Sequence, residues 1–316
     1  MTRHWTRSLR DIVSALGGDL HHGGGSAHVP APGHSPADRS VSLLLDGDRL
    51  VIHGFGAAGW REVRAQLLDL GLIDPAGRLT GGAKRSSLGS ALPARPSPHV
   101  RIAAARALWS EAFPLEDGDL CHRHLRIRGV RLRSLPDDLR RHPAAPVSVF
   151  RRSGRTCPAM IAAIRAPDEA LSAVEIAYLG PDGRTARHLR LPRKMVGSAP
   201  AGVAVRLSSP DAEMVVGEGV ATTLSAMARF DLRGWALLSA GNLARWSPPA
   251  GVRRILIAGD RGRAGEAAAA ELCGRLRAMG LATEVRLPPS PYGDWNEAAV
   301  LEEEGEGRGG APTRRG

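Results

Sequence analysis

Val215-Val-Gly-Glu218-Gly-Val-Ala-Thr-Thr-Leu-Ser225 and Ile255-Leu-Ile-Ala-Gly-Asp260-Arg-Gly-Arg-Ala-Gly-Glu-Ala-Ala-Ala269 are the two stretches whose reading decides the fold. Each runs from a short apolar segment, through glycine and one carboxylate, into a helix-forming segment. From Glu213 onward this rhythm repeats. Strands are predicted at Met214–Val216, Ala236–Ser239, Ile255–Ala258 and Glu284–Leu287, and helices at Val220–Arg229, Glu266–Met279 and Trp295–Glu303. Strands alternating with helices imply an α/β domain with a mostly parallel sheet flanked by helices.

Function in such sheets concentrates where strands end and helices begin. Glu218 and Asp260 occupy two of those places, and Asp294, in Gly293-Asp-Trp-Asn-Glu297, follows the last strand. Carboxylates converging from separate strand ends can hold a hard cation such as Mg²⁺ through oxygen. That ion would clamp phosphate oxygens during phosphoryl or nucleotidyl transfer. Each residue taken alone reads as a helix cap or a solvated loop carboxylate. Three at successive strand ends tip the balance toward a site.

Upstream, residues 99–208 read as an α+β region. A helix is expected at Ile102–Ala112, then the Arg-dense run from Cys121 to Arg133, then strands at Ala159–Arg165, Ala173–Tyr178 and His188–Leu191. The Gly180-Pro-Asp-Gly183 turn marks a meander. Residues 1–74 form a smaller α+β unit with helices at Trp5–Leu16 and Trp60–Leu70. Between them lie a Gly/His/Pro-rich loop and the strands Val41–Leu45 and Arg49–His53. Asp46-Gly47-Asp48 joins those strands as a hairpin. Residues 75–98 are a Gly/Ser/Pro-punctuated linker and 304–316 a disordered tail.

The 316 residues carry 43 Lys+Arg against 32 Asp+Glu, a net charge of +11, and every basic residue except Lys84 and Lys194 is arginine. The excess suggests a polyanionic partner, although a GC-rich composition would also raise arginine. No apolar run of ~18 residues exists to span a membrane. The first ten residues lack the apolar core of a secretory signal. Cys121, Cys157 and Cys273 lie far apart, which excludes a disulfide scaffold and a four-Cys zinc site and fits a reducing cytoplasm.

The Glu218 and Asp260 stretches resemble the glutamate and Asp-x-Asp motifs of Toprim domains. Leu238-Ser-Ala-Gly-Asn-Leu243 and Gly293-Asp-Trp-Asn296 are similar to the versions found in primase-like Toprim proteins of phages, plasmids and other mobile elements. The resemblance covers roughly 213–303, within a Toprim domain placed at 209–303. It implies phosphotransfer on nucleic acids, with Glu218 in acid/base or metal-associated work and Asp260 and Asp294 holding Mg²⁺. The second Asp of Asp-x-Asp falls on Gly262, leaving Asp294 or Glu266 to compensate. Ala105-Arg-Ala-Leu-Trp109, the Tyr178–Gly183 turn and Arg193-Lys-Met-Val-Gly197 resemble the segment that precedes Toprim in these proteins. Arg193, Lys194 and Arg261 are the candidate contacts to nucleic-acid or nucleotide phosphates.

Val29-Pro-Ala-Pro-Gly-His34 with Val51–Ala58 resembles a degenerate primase zinc ribbon. The cysteine positions fall on Val29, Gly54 and Ala58, so no zinc is expected. His21, His22, His28, His34 and His53 read as a polar loop, not a substitute ligand set. Gly54-Phe-Gly-Ala-Ala-Gly59 satisfies GxGxxG but lacks a βαβ unit, and Gly81-Gly-Ala-Lys-Arg-Ser lacks phosphate-loop spacing. The resulting expectation is a primase-like enzyme acting on DNA, with a single-stranded template, nucleotides and a helicase or other replication partner. The alternatives are a nucleic-acid-binding Toprim protein that has lost catalysis, and a Toprim nuclease.

Overall fold

The computed structural model describes residues 8–21, 24–32, 39–54, 60–80, 96–131, 134–150, 154–189 and 191–300. The chain divides into two compact units, Met1–Arg95 and Pro96–Gly316.

In the first unit, α1 (Leu9–Leu16) and α2 (Trp60–Asp69) pack on an antiparallel sheet of β1 (Asp19–His21), β2 (Ser26–Val29), β3 (Val41–Asp46) and β4 (Arg49–Gly54), in that order. Leu9, Ile12, Val29, Leu43, Val63 and Leu67 form its core. The β3–β4 hairpin closes with Asp46 opposite Arg49, and Gly47 takes a positive φ in the turn, as the Asp-Gly signal requires. The Gly/His/Pro-rich stretch is not wholly loop. Leu20, Ala27 and Val29 turn toward the core, so β1 and β2 form despite having only three and four residues. His21 Nε2 lies 3.0 Å from His28 Nδ1 across these two strands. Residues 75–80 also belong to this unit, where Leu50 N donates to Gly77 O and Leu79 N to Asp48 O. The calls on residues 1–7, His22, His34, Gly54–Gly59 beyond Gly54, 81–95 and 301–316 lie outside the described residues.

The second unit stacks its elements in layers. α3 (Pro98–Ser110) covers one face of a meander, ordered β5 (Phe113–Pro114), β6 (Leu139–Pro146), β7 (Thr156–Arg165), β8 (Leu171–Tyr178) and β9 (Arg193–Gly197). Its other face packs on α4 (Leu120–Ile127) and α5 (Val220–Phe230). Beyond α5 lies a second sheet, ordered β10 (Val205–Arg206), β12 (Arg233–Ala236), β11 (Glu213–Gly217), β13 (Arg254–Ala258) and β14 (Ala282–Arg286). All its pairings are parallel except β10 with β12. α6 (Ala240–Leu243) and α7 (Arg263–Ala278) close the far face around Trp246. The helix over residues 295–300, α8, sets Trp295 against Val215, Leu256 and Phe230.

Position in these layers explains the sequences. α5 lies between two sheets, and Val220–Ala226 are all buried, hence its run of small and apolar residues. β13 is buried on both faces: Ile255 and Ile257 meet α7, while Leu256 and Ala258 meet Trp295. The stretches 99–208 and 209–303 share one core, in which Met160, Ile164 and Ala177 meet Val220 and Leu224.

Several elements of the second unit depart from the sequence expectation, three of them for local reasons. The strand expected at Ala236–Ser239 is β12, three residues earlier, because Leu238 takes φ +70 and Ser239 caps α6. Where a strand is expected at His188–Leu191, residues 187–189 form a turn with Leu189 folded into the core, and pairing resumes at β9. The Arg-dense run holds α4, capped by Asp119, and its apolar face (Cys121, His124, Leu125) is buried. Among the described residues no helix is long and apolar enough to cross a membrane.

Ile257 is fully buried on β13, an interior strand of the sheet. Ile257→Ala is expected to lower unfolding free energy by about 2–5 kcal/mol, whereas Val51→Ala, on an exposed site, stays within about 0.5 kcal/mol. Urea midpoints at constant slope measure both.

Candidate functional site

Parallel pairing dictates where the acidic residues meet. Gly217 of β11 stands opposite Ala258 of β13, so Glu218 and the Gly259-Asp260 pair leave neighbouring strands at the same edge. Adjacent strands are only about 4.8 Å apart, so two carboxylates there share one small space. Asp294 joins them from the loop after β14. The three line a cleft of about 190 Å³ together with Arg128, Glu175, Arg193 and the first turn of α5.

Each acidic residue is held by a different local device. Glu218 O accepts from Leu238 N at 2.7 Å, and its carboxylate accepts from Ala240 N at the start of α6. The Leu238–Leu243 motif thereby acts as a cradle. Ser239 caps α6, and Asn242 donates to Val203 O and Leu237 O while accepting from Gly202 N. Asp260 is positioned by α7, whose first turn presses on its carbonyl. A Cβ on Gly265 would come within 2.6 Å of Asp260 O, so glycine is required there. Asp294 accepts from Glu297 N at 2.8 Å, so it caps α8 and lines the cleft at once.

The opposite wall is cationic. Arg128 follows α4, and its Nε donates to Asn296 Oδ1 at 2.8 Å while Asn296 Nδ2 donates back to Arg128 O and to Ser225 Oγ. Arg193 opens β9 and lies 3.7 Å from Glu175. Burial, then the neighbouring Arg193 charge, lowers the proton affinity of Arg128.

Electrostatics single out Asp260. Burial first, then the charges of Glu218, Asp294 and Glu297, push its carboxyl up to about 7. Burial also raises Glu218, against the stabilising Ala240 N–H. Asp260 Oδ1 is buried with no hydrogen-bond partner among the described residues. A buried acceptor under like-charge repulsion is what a cation relieves. The all-oxygen donor set fits hard Mg²⁺. Among the described residues, however, no three His, Cys, Asp or Glu side chains form a ready metal-holding group. Mg²⁺ commonly uses one or two carboxylates and completes its octahedron with water and phosphate oxygens, so Asp260 with Asp294 or Glu218 matches that habit.

The other sequence candidates lie elsewhere. Lys194 alternates with Arg193 along β9 and turns to the opposite face, where it donates to Val147 O and lies over the Tyr178 ring. Arg261 ties down the 288–293 loop, through Nε to Pro288 O and N to Gly293 O, and is not among the cleft-lining residues. Gly262, at the second Asp-x-Asp position, has φ +109, and no atom lies within 4 Å of an added Cβ. Space exists for aspartate there, but the backbone favours glycine. Glu266 accepts from Gly262 N, which leaves Glu297 as the further carboxylate acting on Asp260. Sequence reading missed Arg128, which nothing distinguishes among its arginine neighbours, and Glu175, the one charged residue of β8.

An open, mostly parallel sheet with carboxylates gathered beyond its C-terminal edge defines an α/β protein whose site lies at strand ends. Residues 213–305 match the family described as Toprim domain, and this part of the chain is a Toprim domain, a type that generally binds Mg²⁺. Residues 99–207 match a family described as a domain of unknown function, DUF7146. No curated protein matches the chain. Similar solved structures include the Aquifex aeolicus primase (zinc-binding and RNA polymerase domains; 13% identity, TM-score 0.42, 95% of this chain and 81% of that one). The primase fragment of the bacteriophage T7 primase-helicase protein has 18% identity and TM-score 0.36, over 48% of this chain and 62% of the fragment. The RNA polymerase domain of Mycobacterium tuberculosis primase DnaG has 13% identity and TM-score 0.29, over 46% and 53%. The match thus spans less than two thirds of the phage and mycobacterial chains.

The raised Asp260 carboxyl carries a stability cost with a definite sign. Between its unfolded value near 4 and its folded value of about 7, the folded chain holds more protons than the unfolded one, so stability falls as pH rises. Asp260→Asn is therefore expected to melt a few degrees above the wild type at pH 8 in chelator. The difference should vanish near pH 4, and thermal melts across that range measure it.

Proposed function

We propose that this chain is a primase-like Toprim protein that carries out metal-dependent nucleotidyl transfer on DNA. The observation that carries the reading is the two-sided cleft, with Glu218, Asp260 and Asp294 facing Arg128 and Arg193. A nucleoside triphosphate with a divalent cation needs both signs of charge, anionic oxygens for the metal and guanidinium groups for phosphate. The strongly basic chain, at +11, suits a nucleic-acid substrate.

The roles follow from position. Asp260 and Asp294 would hold Mg²⁺, which when bound neutralises triphosphate charge. Glu218, whose proton affinity burial raises, is suited to exchange a proton with the attacking hydroxyl. Arg128 and Arg193 steady the phosphates, and Asn296 fixes the direction of Arg128. Backbone N–H groups at the start of α5 add further donors for anionic oxygen. In this reading the partners are nucleotides, a single-stranded template and a replication helicase, in the cytoplasm of a cell carrying a mobile element.

A second reading, a DNA-binding Toprim protein without catalysis, draws support from Gly262 standing where the family motif has a carboxylate. Primer synthesis from labelled nucleotides on single-stranded DNA separates the two. The first reading expects Mg²⁺-dependent products that fall by at least about 100-fold in Glu218→Gln and in Asp260→Asn. Products unaffected by either change would remove these residues from the chemistry. DNA binding without any product would favour the second reading.

A further inference from the structure

β9 is the edge strand of the meander, and its two faces serve different spaces. Arg193 looks into the carboxylate cleft, whereas Lys194 and Val196 face the α3 side. On that side runs an open groove of about 520 Å³ whose walls include Phe150, Leu191, Arg155, His188 and Lys194. Two of its apolar side chains are unusually exposed: Phe150 at 45% and Leu191 at 47%. Among the described residues, no lining residue is acidic.

The groove continues past its own rim. His188 also lines the neighbouring hollow formed by residues 180–188, which adds Arg184 and Arg187. Among the described residues the one carboxylate there, Asp182, lies 4.0 Å from Arg184. An apolar floor rimmed almost wholly by cations suits a ligand with flat apolar faces strung on an anionic backbone. An apolar peptide or a second copy of this chain would bury those cations without opposite charge.

We propose that this groove binds single-stranded nucleic acid, with bases against Phe150 and Leu191 and phosphates beside Arg155, Arg187 and His188. Aromatic platforms combined with a basic track are the physical basis of single-strand binding, because every base offers a stacking face. The assignment gives the Arg193-Lys194 pair two separate settings on the two faces of one strand. It rests on the reading of the chain as a nucleic-acid enzyme, and names where the strand lies outside the catalytic cleft.

The test uses the full chain and a twelve-residue oligothymidylate carrying 5-iodouracil. Irradiation followed by peptide mapping is expected to place a cross-link at Phe150. In fluorescence anisotropy, Phe150→Ala should weaken binding about tenfold, and Phe150→Trp should restore it. Arg187→Ala should lower the salt slope of log K by about one. Phe150 is exposed, so these variants fold. Wild-type binding that is unchanged in Phe150→Ala, with cross-links elsewhere, overturns the groove while leaving the nucleic-acid reading intact. Unchanged binding together with a loss of self-association in sedimentation also overturns it and makes the face a contact between copies. A wild type that binds no oligonucleotide at low salt overturns both.

Discussion

Parallel pairing of β11 with β13 is the constraint on which the rest of the second unit depends. It brings the ends of two strands 41 residues apart in sequence to one edge and leaves Glu218 and Asp260 side by side. Everything around them manages the consequence of crowding like charges in a partly buried space. The N–H of Ala240 stabilises Glu218, α8 is capped by Asp294, and Arg128 and Arg193 face the group across the cleft. Asp260 alone keeps an oxygen without a partner, and its carboxyl is pushed up to about 7. A fold tolerates such a cost at a site where a ligand relieves it.

The layered core enforces that arrangement. α5 is pressed between two sheets, so its start, and with it Gly219 and Glu218, cannot drift. Trp295 packs under β11 and β13, and the next residue, Asn296, holds Arg128. The Asp-Trp-Asn run is thereby one device with three functions, in which Asp294 lines the cleft, Trp295 fills the core and Asn296 anchors the cationic wall. The two regions of the second unit meet at this point, so the cleft belongs to both.

Much of this was legible in sequence because strand–carboxylate–helix punctuation is local. The apolar runs ending in Glu218 and Asp260 gave the parallel sheet, and the resemblance to Toprim motifs named the domain. Boundaries slipped where a special backbone conformation intervened, as at Leu238, whose positive φ no periodicity announces. β6 escaped notice because Pro143 and Pro146 lie in a strand whose pairing is irregular between His142 and Ala145. Arg128 was illegible for a different reason. Five arginines lie between Arg123 and Arg133, and only the three-dimensional contact with Asn296, 168 residues away, selects one. Lys194 and Arg193, read as a pair, part company because adjacent residues on a strand face opposite ways.

The proposed chemistry requires that the desolvated carboxylates at the sheet's edge take up a divalent cation in competition with a proton. Titration of the full chain with Mn²⁺, followed by electron paramagnetic resonance at pH 6 and pH 8, tests it directly. Saturable binding is expected that tightens about tenfold between the two pH values, as a group with a pKa of about 7 gives up its proton, and that disappears in Asp260→Ala. Binding that is absent at both pH values, or that survives Asp260→Ala unchanged, would contradict it.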